Sequence, residues 1–272
     1  MPDEKNLSGT CRYALQVEYR GTRYSGWQLQ KAQKRQTVQG CLQAAISSIA
    51  NESVNLVCAG RTDAGVHATA QMVHFETRAI RKNSAWVEGV NTLLPKDIRV
   101  QWSAGVEPDF HARFSATARR YMYLISNSRH QPAIAEGLLT WCREPLDADA
   151  MHLAGQNLLG ENDFSSFRAS GCQSLSPNRN VMFLNVYRLQ HLVVVDIKAN
   201  AFLHHMVRNM VGTLLEVGAG HKNQSWVKEV LDARQRTQAG KTAPADGLYL
   251  VQVDYPAEFG VVTELREPPV LG

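Results

Sequence analysis

Cysteine is scarce and unpaired in pattern. Five residues, at positions 11, 41, 58, 142 and 172, are widely scattered and form no C-x-x-C. An odd, dispersed set argues against a disulfide framework and a zinc ligand signature, and it fits reduced thiols in a cytoplasmic protein. Apolar runs of about eighteen residues or more are missing, so no helical membrane span is expected. The first residues carry acids at Asp3 and Glu4 and no apolar segment, so no secretory signal is expected either. Nineteen glycines and ten prolines are too few for a linker-dominated chain. Acids, too, are missing in places. Residues 19–51, 110–135 and 164–195 contain neither Asp nor Glu.

What remains is globular. The 272 residues, 44% apolar and 20% charged, allow one large domain or two ordinary ones. The net charge of +4 is unevenly spread: residues 1–136 hold 17 Lys and Arg against 11 Asp and Glu, and the remainder hold 12 against 14. The first acid-free stretch contains Arg20, Arg23, Lys31, Lys34 and Arg35, and the second Arg113, Arg119, Arg120 and Arg129. Such stretches suit a polyanion, because each neutralised phosphate releases counterions. Chance clustering is the competing reading.

Periodicity gives a mixed chain. Alternation predicts strands at 12–19, 70–76, 98–104, 120–126 and 247–254, and a hairpin at 181–198 turning at Gln190. A short apolar run at 54–58 reads as a buried strand. Helical spacing predicts helices from Val38 to Ile49 with Thr37 as N-cap, from Ser84 to Leu94, at 147–159, at 201–217 and at 225–235. Two halves of similar strand–helix order suggest two α+β domains joined near 105–118, with a loosely packed tail at 255–272.

Four segments could carry chemistry. Gly60-Arg61-Thr62-Asp63-Ala64-Gly65-Val66-His67 lies between two strands. Its glycines admit a ligand close to the backbone, and Asp63 beside Arg61 can stay ionised as a nucleophile or base. An Asx-turn is the simpler alternative. On the helix at 201–217, His205, Arg208, Asn209, Gly212 and Glu216 form a polar stripe opposite a wide apolar face. That stripe is either solvated or presents a buried cation to a carboxylate. His204-His205 lacks the i, i+4 spacing of ligands on one helical face, so no metal is expected. In Arg119-Arg120-Tyr121-Met122-Tyr123, the two tyrosines share one strand face and Arg120 lies on the other. They form either a base-stacking platform or the edge of a core. Residues 19–30, with Arg20, Tyr24 and Trp27, suit looped nucleic acid or form a turn around a buried Trp.

Together these segments resemble the tRNA pseudouridine synthase I family, whose members act on uridines 38, 39 and 40 of tRNA. GRTDAGVH is unbroken at 60–67. FHARFSATARRYMY at 110–123, GENDFSSFR at 160–168, DIKANAFLHHMVRNMVG at 196–212 and GLYLV at 247–251 look like the family's other blocks. Arg20 departs from the Asp common at that position, which bears on a loop near the RNA.

The resemblance implies Asp63 as catalytic nucleophile and Tyr121 as the aromatic that stacks on the base and removes the C5 proton. It implies Arg208 as the ion-pair partner of Asp63, Leu248 as packing beneath the base, and Arg61 as the residue filling the stack when uridine is everted. His67 and His205 join these as expected substrate-binding residues. It further implies two similar RRM-like α/β-sandwich domains, at 1–112 and 113–256 with a tail at 257–272, whose mainly antiparallel sheets flank a central catalytic cleft. A homodimer binding the tRNA anticodon stem-loop, needing neither cofactor nor metal and acting in the cytoplasm away from membranes, completes the expectation. A synthase with other target uridines, a non-catalytic tRNA-binding protein and a carboxylate hydrolase are the competitors. A pure binder has no use for Asp63. A hydrolase wants a second acid, which the acid-free stretches do not supply.

Overall fold

The computed structural model describes residues 9–29 and 36–272; the basic positions Lys31, Lys34 and Arg35 lie outside that range. Among these residues ten strands form one sheet: β1 Cys11–Tyr19, β2 Val57–Cys58, β3 His67–Thr77, β4 Ile98–Val106, β5 Ala118–Asn127, β6 Thr140–Cys142, β7 Gly160–Asp163, β8 Asn178–Leu189, β9 Leu192–Ala199 and β10 Leu248–Asp254. The order along the sheet is β4-β1-β3-β10-β5-β9-β8-β7, with β2 added to β3 and β6 to β5. Pairing is antiparallel except between β3 and β10 and between β5 and β6. The protein is therefore α+β with a mainly antiparallel sheet. Among the described residues five α-helices accompany it: α1 Val38–Ala50, α2 Val90–Leu93, α3 Ala148–Gly155, α4 Met206–Gly218 and α5 Trp226–Ala233.

The helices form where the apolar spacing asks for them. The Thr37 hydroxyl accepts from Gly40 N at 3.2 Å and caps α1. Val38, Leu42, Ala45 and Ile46 then fall on one buried face. Asp147 caps α3 in the same way, through Ala150 N at 2.9 Å. Ser84 makes no capping bond; five residues of wider π-helix, Ala85–Gly89, lead instead into the short α2. The expected strand at 54–58 reduces to Val57–Cys58. Gln190 takes a left-handed backbone, φ 54°, at the β8–β9 turn.

The larger apolar core of the described residues runs through both halves of the chain. The seam is β10, which comes from the end of the sequence yet lies between β3 and β5, with Tyr249 opposite His67 and Leu250 opposite both Ala68 and Tyr121. On the other side of the sheet Met122, Leu124, Val194, Tyr249 and Val251 form a second apolar patch, covered by Leu265, Val270 and Leu271. The tail is thus packed, contrary to the reading of a loose 255–272. Arg266 holds it, donating to the Gln16 side chain at 3.0 Å, while its carbonyl accepts from the Thr69 hydroxyl. Among the described residues, no helix is long and apolar enough to cross a membrane.

Candidate active site

The loop at 59–66 connects β2 to β3, and buried polar groups fix it from behind. Gln71 donates its amide to Gly60 O at 2.6 Å. The Thr62 hydroxyl pairs with the Tyr19 hydroxyl at 2.8 Å, and Trp27 N donates to Thr62 O at 3.0 Å. Gly26 at φ +88° makes this approach possible, since a Cβ there would stand 2.7 Å from Thr62 O. The tip closes with Val66 N donating to Asp63 O at 3.2 Å, and Gly65 takes φ +84°.

Asp63 is left pointing outward from this rigid base. Among the described residues its carboxylate accepts no backbone N–H, so its side chain does not form an Asx-turn. It faces α4 instead. Arg208 Nη1 lies 3.3 Å and His205 Nε2 3.2 Å from Oδ2, and His204 Nε2 lies 3.4 Å from Oδ1. Arg208 is itself held by donating Nε to Ala243 O at 2.8 Å, and its side chain is only 16% exposed. The cationic alternative for the polar stripe is therefore the one observed. Burial pushes His205 below its ordinary value, with His204 and Arg208 adding to the effect and Asp63 opposing it.

Helix α4 starts later than the spacing suggests. His205 sits just outside it in the left-handed region, φ 59° and ψ 7°, so 201–205 is a turn. Consequently His204 and His205 converge, their ring centroids 4.1 Å apart, rather than splaying as helical neighbours. The rest of the stripe does not face the cleft. Asn209 is buried and bonds Phe167 O, Thr242 and Arg236. Gly212 lies against the Lys241 carbonyl, and Glu216 pairs with His221 at 3.2 Å.

Tyr121, on β5, is 8% exposed and packs edge-on to Phe202 with centroids 5.0 Å apart. Its hydroxyl borders the Asp63 loop, 3.6 Å from where a Cβ on Gly60 would be. Desolvation pushes the phenol well above its ordinary range, with Arg119 opposing and Asp63 reinforcing. Leu248, the first residue of β10, is buried and lines the same cavity. Arg61 is exposed at the rim, 3.5 Å from the Gln173 side chain. His67 is not brought into the site. It is 1% exposed, its Nδ1 accepts from Gly21 N at 3.0 Å, and its Nε2–H donates to Asp246 O at 3.1 Å. Stacked on Tyr249 and pushed down to about 4 by burial, it joins β3 to two loops. The sequence reading treated it as part of the loop, whereas it is the first residue of a strand.

Arg119 is the residue that the sequence reading passed over as one more basic charge. It is buried, and donates to the carbonyls of Ala59, Ala116, Asn200 and Arg113 at 2.6–3.3 Å. Its guanidinium thus ties β5 to the start of the Asp63 loop. Adjacent arginines on one strand were the available signal, since alternation sends one of them inward. Arg120 faces the other way, bidentate to Asp196 at 2.8 and 2.6 Å.

These residues surround a cavity of about 1670 Å³ lined by loop 58–66, residues 171–174, the turn at 201–205, the start of α4, Tyr121 and Leu248. Among the described lining residues are five arginines (61, 113, 119, 179 and 208), and Asp63 is the single carboxylate. Such a lining attracts a polyanion and sets one acid where the polyanion would lie.

Comparison with known proteins meets this geometry. A family model for tRNA pseudouridine synthase matches residues 15–115 and 154–256. The chain belongs to the tRNA pseudouridine synthase family. It is 57% identical over 259 residues to tRNA pseudouridine synthase A of Cronobacter sakazakii, covering 95% of this chain and 94% of that one. Identity to tRNA pseudouridine synthase A of Salmonella typhimurium is 58% over 263 residues, covering 97% and 95%. Among solved structures, the archaeal box H/ACA sRNP Nop10–Cbf5 complex aligns with 75% of this chain and 44% of its own. Its TM-score is 0.34 at 15% identity. Both matched segments of the synthase model contribute to the cavity: Asp63 comes from the first, Arg208 and Leu248 from the second.

Proposed function

We propose that the protein isomerises uridine to pseudouridine at positions 38, 39 and 40 of the tRNA anticodon stem-loop, with Asp63 as nucleophile. The observation that carries this reading is Asp63 itself: the one carboxylate among the described lining residues, fixed by its loop and paired with Arg208, in a cleft to which five arginines contribute. A protein that only bound RNA would gain from removing that charge.

The reaction breaks the bond from ribose C1′ to uracil N1 and forms one from C1′ to C5. The C5 proton leaves and N1 gains one, so no electrons are exchanged and no cofactor is required. The target is first flipped out of its stack, costing a few kcal/mol, and phosphate contacts by Arg61 and the cleft arginines offset that cost. Asp63 attacks C1′ or C6, giving an intermediate in which uracil is held while it turns. Arg208 keeps the carboxylate aimed. Tyr121 stacks against the base, with Leu248 beneath it, and takes the C5 proton. Burial favours the neutral phenol, so this transfer needs the local field of the substrate complex.

The same reading carries two RRM-like halves, at 1–112 and 113–256, with a tail at 257–272, assembled as a cytoplasmic homodimer in which one tRNA touches both protomers. What supports two halves is the pair of segments matched by the family model, the first holding β1 to β4 and the second β7 to β10. The test is tritium release from unmodified tRNA labelled at uracil C5, without added cofactor, followed by mapping of the modified positions. Release at 38–40 supports the assignment. Release elsewhere keeps the chemistry and discards the position. Tight binding without release from folded protein favours a binding protein instead.

A further inference from the structure

We propose that Asp63, His204 and His205 form a site for a borderline-soft divalent cation, Zn²⁺ above all, and that its occupation silences the enzyme. Two adjacent histidines on a helix would point about 100° apart and could not share an ion. Here they precede α4, and the left-handed backbone of His205 swings the two rings together. A non-glycine residue held in that region is a strained position, of the kind that persists where a particular side-chain direction is needed.

The spacings are those of a ligand set. His204 Nε2 stands 3.4 Å from Asp63 Oδ1, and His205 Nε2 stands 3.2 Å from Oδ2. All three ligand atoms lie within 4.8 Å of one another. An ion bound tetrahedrally at about 2.0–2.1 Å separates its ligands by about 3.3–3.4 Å, and the approach of each imidazole to its own oxygen of the carboxylate is already near that length. The side chains are 44%, 28% and 27% exposed, in the order His204, His205, Asp63, which leaves a route for the ion and a fourth position open to the cleft.

Charge selects the metal. Arg208 lies 3.3 Å from the same carboxylate, so acid and guanidinium together contribute no net charge. Calcium and magnesium, which need several oxygen ligands, gain little from such a site. Zinc gains from the two imidazoles irrespective of that balance. An ion held there draws on the carboxylate that the substrate must meet. Silencing therefore rests on Asp63 as nucleophile, whereas binding does not.

The experiment titrates the full chain with Co²⁺ as a spectroscopic probe, then displaces it with Zn²⁺. The expected spectrum has the strong visible bands of low-coordinate cobalt and no thiolate charge-transfer band. Asp63→Asn and His204→Gln, each checked for folding by circular dichroism, should weaken binding at least about tenfold, the loss typical even for removing a ligand's outer hydrogen-bond partner. In parallel, tritium release in excess Mg²⁺ should fall as Zn²⁺ rises and recover with EDTA, and His204→Gln should shift that curve to higher Zn²⁺.

A thiolate band, or unchanged affinity in both variants, would place the ion on the cysteines and overturn the site. Cys172, whose sulfur is 3.4 Å from His204 N, makes that outcome a real alternative. Binding weakened by both substitutions but without effect on turnover would overturn silencing, while the turnover of Asp63→Asn judges the nucleophile separately. Failure to bind, with Asp63→Asn inactive, would remove the metal site alone.

Discussion

Replacing Gly212 by alanine sets two effects against each other. In an exposed helix interior the change stabilises by about 1 kcal/mol, because glycine has more conformational freedom to lose. In α4, however, a Cβ at this position would stand 1.7 Å from the Lys241 carbonyl oxygen and 2.9 Å from its carbon. Neither partner can step aside cheaply. The opposing segment is tied to α4 by Gly240 N on the Thr213 hydroxyl, the Thr242 hydroxyl on Asn209 Oδ1, and Ala243 N on Arg208 O. Overpacking against backbone typically costs about 1–3 kcal/mol and sometimes more. With an overlap well over an ångström the upper end applies, leaving a net loss of about 2 kcal/mol and a Tm lower by about 4–8 °C. Function should fall further than stability. Ala243 O accepts the Arg208 Nε hydrogen bond, so displacing 240–243 moves the guanidinium that faces Asp63. Displacements of about 1 Å near reacting groups cost up to a hundredfold in rate. We therefore expect at least about a tenfold fall in kcat per folded molecule, measured by tritium release alongside thermal unfolding. A Gly212→Ala protein as stable and as active as wild type would refute both the steric argument and the role of Ala243 in aiming Arg208.

Asp63→Asn should abolish tritium release while tRNA affinity stays within a few-fold, since the cleft arginines are untouched; turnover near wild type would remove Asp63 as nucleophile. Tyr121→Phe keeps the ring and its contact with Phe202, and should lower kcat about a hundredfold with little change in KM. Equal kcat would mean that the ring alone matters. Arg61→Gln should leave the Tm unchanged and raise KM for tRNA, with a shallower salt dependence of binding; an unaltered salt slope would separate Arg61 from the phosphates. For pH, burial lowers His67 and His74 from 6.5 to about 4 in the folded state. Each therefore contributes about 3 kcal/mol that is present above pH 6.5 and lost progressively as the pH falls toward 4. Urea unfolding should show stability declining across that window, and a flat profile for wild type would contradict the burial of both imidazoles.

How far the sequence could be read varied with the range of the interaction. Helix α1 and strands β1 and β10 were legible because local periodicity and a Thr cap are enough to define them. Asp63 and Arg208 were legible through motif resemblance, and the geometry joins them across 145 positions. The start of α4 was not legible: Phe202 and Leu203 extend the apolar period, and nothing local signals that His205 turns left-handed. For the same reason the premise that His204 and His205 lie on one helix, from which the spacing argument about metal ligands ran, does not hold. Arg119 needed the inside and outside of β5 to be known. The packed tail hides behind prolines and scattered apolar residues, whose partners on the far side of the sheet are distant in sequence.

The position of β10 has a consequence for how the molecule is made. During synthesis from the N-terminus, β1, β3 and β4 can pair as soon as they emerge, but the neighbour that β3 finally receives arrives only with residues 248–254. Until then the stretch of β3 at His67 and Ala68 is an open edge directly beside the loop carrying Asp63, and open edges invite pairing with other chains. A nascent or truncated chain that stops short of Leu248 therefore holds Asp63 on unfinished scaffolding. Such fragments should be aggregation-prone and inactive rather than partly active, because the strand that completes the sheet is the same one that joins β3, beside the Asp63 loop, to β5, which carries Tyr121.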